Sequence, residues 1–217
     1  MRIAIYDLDR TITCAPTFTP FLIFASWRVS RWRSFFLPVW FLAMLGYRMC
    51  FYSRTALKRF GMKLIVGKLS AEQFSQLGSD FAAKRIATPG LMPETVRLLA
   101  DDRDRGATLL LATAAFDFYA QAFAEQLRFD DLIATHWDGE RIPGGNCYGQ
   151  EKLARVRRWL DGKGIKRHEV TVRFVSDSFA DAPTLDFVDE PIFVTQSQRQ
   201  AEKARQRGWR VIDPRGT

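Results

Sequence analysis

Asp7 and Asp9 stand two residues apart, directly behind a short apolar run, Ile3-Ala4-Ile5-Tyr6. The run is β-prone and reads as a buried first strand of a parallel sheet. Ligands of open α/β sheets bind outside the carboxyl ends of the strands, so the pair sits where chemistry is done. Carboxylates there can serve as a nucleophile and as a general acid/base. A turn rich in Asp and Thr accounts for the same residues as local structure, and the pair alone leaves both readings open. Three later sites narrow the choice. Leu109-Leu110-Leu111-Ala112-Thr113 ends a strand in a hydroxyl, Gly149-Gln150-Glu151-Lys152 sets a lysine at a helix start, and Phe174 to Asp181 ends a strand in the acids Asp177 and Asp181. Taken singly, Lys152 could be an exposed helix lysine, and Thr113, Asp177 and Asp181 could be helix caps. Acid pair, hydroxyl, lysine and acid pair in that order are far more specific than any one of them.

The elements that must position this set can be read from periodicity. Residues 17–85 read as helices over Phe18 to Ser30, Phe35 to Tyr52, Arg54 to Val66 and Ala71 to Arg85. Ser53 and Ser70 are N-caps, the latter with Gln73 completing a capping box. After Pro89-Gly90, strands and helices alternate: helix Pro93 to Arg105, strand Ala107 to Ala112, helix Phe116 to Leu127 and strand Asp131 to Thr135. Trp137 to Tyr148, with Asp-Gly and Gly-Gly turns, reads as a small hairpin holding Asp138 and Glu140. Helix Glu151 to Leu160, strand Val170 to Val175, helix Asp181 to Val188, strand Pro191 to Val194, helix Gln198 to Arg207 and strand Trp209 to Ile212 complete the chain. Alternation of this kind implies an α/β fold with a doubly wound parallel sheet. The predicted division is a sheet core over residues 1–11 and 89–217 and an inserted helical cap over 12–88.

The 217 residues carry a net charge of +8, unevenly spread. No Asp or Glu occurs between Asp9 and Glu72, a stretch holding ten cations, so the remainder of the chain nets −2. The same stretch is dense in aromatics and includes thirteen uncharged residues, Phe35 to Tyr47. That run is short of the roughly 20 residues that span a bilayer, while an apolar helix with Trp and flanking Arg suits a membrane interface. The competing reading is that this helix is the cap's own core. Nucleic acid ranks below a membrane surface as partner, because the aromatics fall in continuous runs with aliphatics instead of standing as separate stacking platforms. Cys14, Cys50 and Cys147 lack metal or redox spacing and read as thiols in a reducing compartment. With no signal peptide evident, the expected location is cytoplasmic, peripheral on the cytosolic face of the inner membrane. His136 and His168 attract no role, and the oligomeric state is left open.

The ordered set resembles the haloacid dehalogenase superfamily of phosphatases, in the branch that includes phosphoserine phosphatase and bacterial phospholipid-head-group phosphatases. Asp7, Asp9 and Thr11 match its first motif, Asp-x-Asp-x-Thr. Thr113 takes the second-motif hydroxyl where many relatives carry Ser, Lys152 the lysine, and Asp177 and Asp181 the closing acids. Arg10 stands where a glycine often precedes the motif threonine, at a position outside the chemistry, and its contact with phosphate is the lesser reading. A phosphoacceptor receiver domain also uses acids, a hydroxyl and a lysine, but its phosphorylated acid follows a middle strand and no acid pair follows its lysine. The acid-free cap, the Leu-Pro helix and Cys147-Tyr148-Gly149 resemble the phosphatidylglycerophosphate phosphatases of the superfamily.

This resemblance implies a Mg²⁺-dependent phosphomonoester hydrolase working through an aspartyl-phosphate. Asp7 would be the nucleophile, and Asp9 would protonate the leaving group and then activate water. Thr11, Thr113 and Lys152 would bind phosphate, and Asp181 would orient Lys152 or a metal-bound water. Asp7 and Asp177, with the backbone carbonyl of Asp9, would hold the metal. Elementary electrostatics agrees: a carboxylate approaching a phosphate dianion at about 4 Å meets roughly 8 kcal/mol of repulsion at an effective dielectric near 20. The substrate expected is a phospholipid head-group phosphate, with a soluble metabolite such as phosphoserine as the alternative. A non-catalytic membrane- or nucleic-acid-binding protein on this fold comes last, because the acids are intact.

Overall fold

The computed structural model describes residues 1–87 and 90–216. Six parallel strands form its sheet: β1 Arg2–Tyr6, β2 Thr108–Phe116, β3 Asp131–Thr135, β4 Thr171–Ser176, β5 Glu190–Val194 and β6 Arg210–Ile212. Their order is β3-β2-β1-β4-β5-β6, the doubly wound α/β sheet that the alternation implies. Side chains alternate across it with a period of two. Ala4 and Tyr6 enter one core with Leu109 and Leu111, while Ile3 and Ile5 enter the other with Leu110, Val172 and Phe174. Burial on both faces explains why the strands read as unbroken apolar runs. Helices α5 (Pro93–Asp104) and α6 (Asp117–Gln126) cover the first face. Helices α7 (Gln150–Gly162), α8 (Ala182–Leu185) and α9 (Gln198–Arg205) cover the second. The strand order reverses at β1, which lies between β2 and β4 with Tyr6 opposite both Leu111 and Val175. A crevice at the carboxyl ends is expected at such a reversal.

Between β1 and α5 the described residues include four helices: α1 (Phe18–Val29), α2 (Leu37–Arg48), α3 (Arg54–Gly61) and α4 (Ala71–Ala87). The Ser53 hydroxyl accepts the Ala56 N–H at 3.2 Å, and Ser70 and Gln73 exchange hydrogen bonds as a capping box. Phe21, Trp40, Met62 and Phe81 share the core of Tyr6, Phe116 and Tyr119, so this segment is packed onto the sheet layer. One close approach is at Gly78, where an added Cβ would lie 2.2 Å from the Phe118 carbonyl oxygen. Only glycine lets α4 lie that close to α6. The expected boundary at residues 88 and 89 lies outside the described residues.

Four expectations are corrected. The helix read over Phe35 to Tyr52 starts at Leu37, behind a 3₁₀ segment Arg31–Phe36, and ends at Arg48. Pro38 falls in its first turn, where a missing N–H costs nothing; deeper inside a helix it would break the ladder. Helix α3 closes in a π turn over Met62–Val66. Residues 137–148 hold no strand. Gly139, Gly144 and Gly145 all have positive φ, and the Arg155 guanidinium donates to the carbonyls of Ala134, Gly144 and Gly145. Arg155, together with Thr135 and Lys58 at Asn146, holds this loop without a strand ladder. The helix read over Asp181 to Val188 is a 3₁₀ turn Phe179–Asp181 followed by the single turn α8, started by Pro183. Among the described residues there is no disulfide, and no helix is long and apolar enough to cross a membrane.

Candidate active site

The pairing of β1 with β4 continues one residue beyond β1: the Asp7 N–H donates to the Val175 carbonyl at 2.9 Å. The Asp7 carboxylate therefore emerges beside the end of β4. The chain turns at once, with Ile12 and Thr13 N–H both donating back to the Leu8 carbonyl. This turn buries Thr11, whose hydroxyl accepts the Asp177 N–H at 3.0 Å. Asp9 is half-buried, and its Oδ1 accepts the Thr17 N–H at 2.7 Å, just ahead of α1. Asp7, Asp9 and Asp177 line one cavity of about 390 Å³ at the carboxyl ends of the strands, a volume typical of a ligand site.

Lys152 arrives from the opposite layer. Gly149 has φ 60 and an added Cβ would come 3.5 Å from the Ala180 carbonyl, so the loop turns sharply into α7. That puts Lys152 in the first turn, buried against Phe174. Its ammonium donates to Asp7 Oδ1 at 3.0 Å and to Asp181 Oδ2 at 2.6 Å. Burial works against its charge, yet Asp181 and Asp7 outweigh it and hold Lys152 protonated well above the usual lysine range. The Ser176 hydroxyl also donates to Asp181 Oδ2, at 2.8 Å, while Asp181 Oδ1 is buried without a hydrogen-bond partner. Burial, opposed by Lys152 and reinforced by Asp181, Asp177 and Asp9, pushes Asp7 up to about 7. Burial also raises Asp177, to about 6, with Arg10 opposing.

Thus Asp7, Asp9, Lys152, Asp177 and Asp181 come together at one cavity. Thr11 and Thr113 are fully buried and are not part of its lining. Thr113 lies inside β2, which runs on to Phe116 with its register to β3 shifted after Ala112. Its hydroxyl accepts the Ala115 N–H at 3.0 Å, holding that irregularity, and Ala114 lines the cavity. His136 pairs with Asp117 at the start of α6.

Further wall residues escaped sequence reasoning. Lys58, one of ten cations in its segment, is buried, and its ammonium donates to the Ala114 carbonyl and to Asn146 Oδ1. Burial, aided by Arg54, lowers it to about 7. Arg54 lies over the ring of Tyr148, 4.6 Å from its centroid, and both line the cavity. The α3 spacing of Arg54 and Lys58, one turn apart, was the available signal. Helix α2 adds Trp40, Met44 and Tyr47 to the wall.

Among the described residues no three His, Cys, Asp or Glu side chains are gathered so as to hold a metal ion by themselves. The donor chemistry is nevertheless that of a hard cation: every acid at the cavity is a carboxylate, two are raised by their surroundings, and one buried carboxylate oxygen is unpartnered. Mg²⁺ keeps several waters and needs one or two protein carboxylates, so the residues fit it.

The chain is similar to Protein CicA of Caulobacter vibrioides, at 31% identity over 160 residues, 70% of this chain and 69% of that protein. It is 24% identical over 159 residues to a histidinol-phosphatase of Neisseria meningitidis, covering 68% and 70% of the two chains. A crystal structure of a Bordetella pertussis Tohama I protein with unknown function superposes with a TM-score of 0.81 at 26% identity, covering 98% of each chain. Substrate-bound phosphoserine phosphatase shares the fold, with a TM-score of 0.61 at 13% identity over 99% of this chain and 94% of that one. The family model of haloacid dehalogenase-like hydrolases matches residues 4–186. The chain belongs to the haloacid dehalogenase-like hydrolases, an enzyme family in which its neighbours include phosphatases.

Proposed function

We propose that the protein hydrolyses phosphomonoesters through an aspartyl-phosphate on Asp7, with Mg²⁺ as cofactor. The observation that carries this reading is the buried bridge of Lys152 between Asp7 and Asp181 at a cavity shared with Asp9 and Asp177. Asp7 and Asp177, with the backbone carbonyl of Asp9, would hold the ion. When bound, Mg²⁺ supplies the positive charge that offsets repulsion between an incoming phosphate and the carboxylates. Lys152 favours the ionised form of Asp7 against a burial that favours the neutral acid, and it faces the phosphoryl oxygens as charge shifts onto them. Asp7 attacks phosphorus in line. Asp9, steadied by the Thr17 N–H, delivers a proton to the leaving oxygen and then takes one from the attacking water. Asp181 positions Lys152. Thr11 and Thr113 act one step removed, Thr11 by fixing the Asp177 backbone and Thr113 by shaping the end of β2.

Residues 12–88 act as a cap that shapes the leaving-group side, over a core of 1–11 and 89–217. The substrate favoured is a phospholipid head-group phosphate met at a membrane surface. Support comes from the outer face of α2 and its flanks, where Phe35, Leu42 and Phe51 are each more than two-thirds exposed beside exposed Arg31 and Arg48. A helix apolar on all sides needs a cover on its outer face, and interfacial lipid provides one. A small soluble phosphomonoester is the second reading, favoured by the similarity to a histidinol-phosphatase. The test is a turnover panel of phosphatidylglycerophosphate, lysophosphatidic acid, phosphoserine and histidinol phosphate in mixed micelles with Mg²⁺, for the native protein and Asp7→Asn. Native turnover abolished by the substitution is the expected result. Undiminished turnover by Asp7→Asn would end the reading, and the preferred substrate decides between lipid and soluble ester.

A further inference from the structure

The geometry points to an anion-binding subsite made by Arg10 and Arg54, which takes a second negative group on the leaving-group side of the phosphomonoester. This rests on the phosphatase reading and deepens it by assigning the charge class of the substrate. Arg10 is exposed and lines the cavity directly after the acid pair. Its backbone sits at φ 57, a left-handed conformation uncommon for a side chain of this kind. Glycine would make the same turn without that strain. A charged side chain held there against local preference is the pattern of a residue kept for contact with a ligand.

Arg54 reaches the same cavity from the first turn of α3, its guanidinium laid over the Tyr148 ring. Stacking of that kind fixes the plane of the fork and leaves its donors to meet an oxyanion. Among the described residues neither Arg10 nor Arg54 comes within 4 Å of a carboxylate oxygen, although Arg10 is near enough to Asp177 to oppose its rise. The other two cations of the wall are already engaged, Lys152 by Asp7 and Asp181 and Lys58 by Ala114 and Asn146. Among the described residues the acids on the wall are Asp7, Asp9, Asp177 and Asp181, all belonging to the catalytic set, so no further carboxylate there is placed to receive an ammonium group. A carboxylate or a phosphodiester suits two guanidinium forks. The cavity is also larger than a phosphate alone requires.

Two matched pairs test the subsite and separate its sources: 3-phosphoglycerate against glycerol 3-phosphate in solution, and phosphatidylglycerophosphate against phosphatidic acid in mixed micelles. In each pair the first member carries the extra anion. The native protein is expected to prefer it by about tenfold in kcat/KM, equivalent to about 1.4 kcal/mol, in at least one pair, which names the source. Arg10→Gly and Arg54→Gln should each bring that ratio toward one, and Arg54→Lys should restore it only in part. Arg10→Gly also relieves the left-handed strain, so loss of the ratio there cannot be ascribed to misfolding. Calorimetric binding of the same four compounds to Asp7→Asn reads the preference without chemistry. Ratios near one in both pairs, with brisk turnover, would overturn the subsite and leave the phosphatase reading standing. Preferential binding without turnover of any ester by the native protein would do the reverse. Equal binding within both pairs overturns the subsite whatever the turnover.

Discussion

The hydroxyl of Thr11 accepts the backbone N–H of Asp177 at 3.0 Å, a single hydrogen bond that joins loops 166 residues apart in the chain. It ties the turn after β1 to the turn after β4, the two turns that carry Asp7 and Asp177. The motif threonine thus acts on the site through the backbone of the other proposed metal-binding loop.

Thr11→Val keeps the shape and removes the acceptor. Groups that orient metal-binding residues typically cost roughly 10- to 100-fold in metal affinity when removed. The Mg²⁺ concentration for half-maximal activity should rise by about that range, read by titrating Mg²⁺ against turnover of p-nitrophenyl phosphate. An unchanged Mg²⁺ requirement would contradict the role given to Thr11.

Lys152→Met removes the one cation shared by Asp7 and Asp181. Losing a preorganised donor to a developing negative charge costs about 10²- to 10³-fold in kcat, and breaking a buried ion pair costs about 3–5 kcal/mol in stability. The stability loss should be larger at pH 8 than at pH 5, because Asp7, pushed up to about 7, is protonated at the lower pH and no longer strands a buried charge. Urea unfolding at the two pH values checks this.

Asp7 and Asp177 also set the pH dependence of the metal-free protein. Both are raised in the fold, to about 7 and about 6, so between pH 4 and 7 the native state binds more protons than the unfolded chain. Stability from these groups is therefore greatest at low pH and declines as pH rises through their folded values. With EDTA the melting temperature should fall across that window. Added Mg²⁺, which favours the charged carboxylates, should flatten the slope. Identical profiles with and without Mg²⁺ would remove the metal from the account.

Lys58 gives the opposite sign in a different window. Its folded value is lowered to about 7 by burial and by Arg54, so between pH 7 and 10 the unfolded chain binds the extra proton and stability rises with pH. Lys58→Met should flatten that rise, measured by urea midpoints at pH 7 and 9.5.

Much of this was legible in the sequence because it depends on local order. Strand β3 follows its apolar run residue for residue, and Asp7, Lys152 and Asp177 are placed by the element each one ends or begins. What depends on approach between distant segments was not legible. The burial of Thr113 follows from β2 running past its apparent end into an irregular stretch. Lys58 looked like one of many surface cations, and only the packing of α3 against the end of β2 buries it. The loop over 137–148 has the turn residues of a hairpin, but its Gly144 and Gly145 carbonyls go to Arg155, a partner no hairpin pattern encodes. The positive φ of Arg10 had a trace in the sequence, since the motif it resembles often has glycine at that position.

The claim on which all else depends is that Asp7 takes the phosphoryl group. It is tested most directly by mixing the Mg²⁺-loaded protein with p-nitrophenyl phosphate, quenching in acid within a turnover and mapping peptides by mass spectrometry. The account predicts a phosphoryl adduct on the peptide holding Asp7, assigned to Asp7 by fragmentation and absent from Asp7→Asn. Turnover with no adduct on Asp7, or an adduct on Asp9 or Asp177 instead, would contradict it.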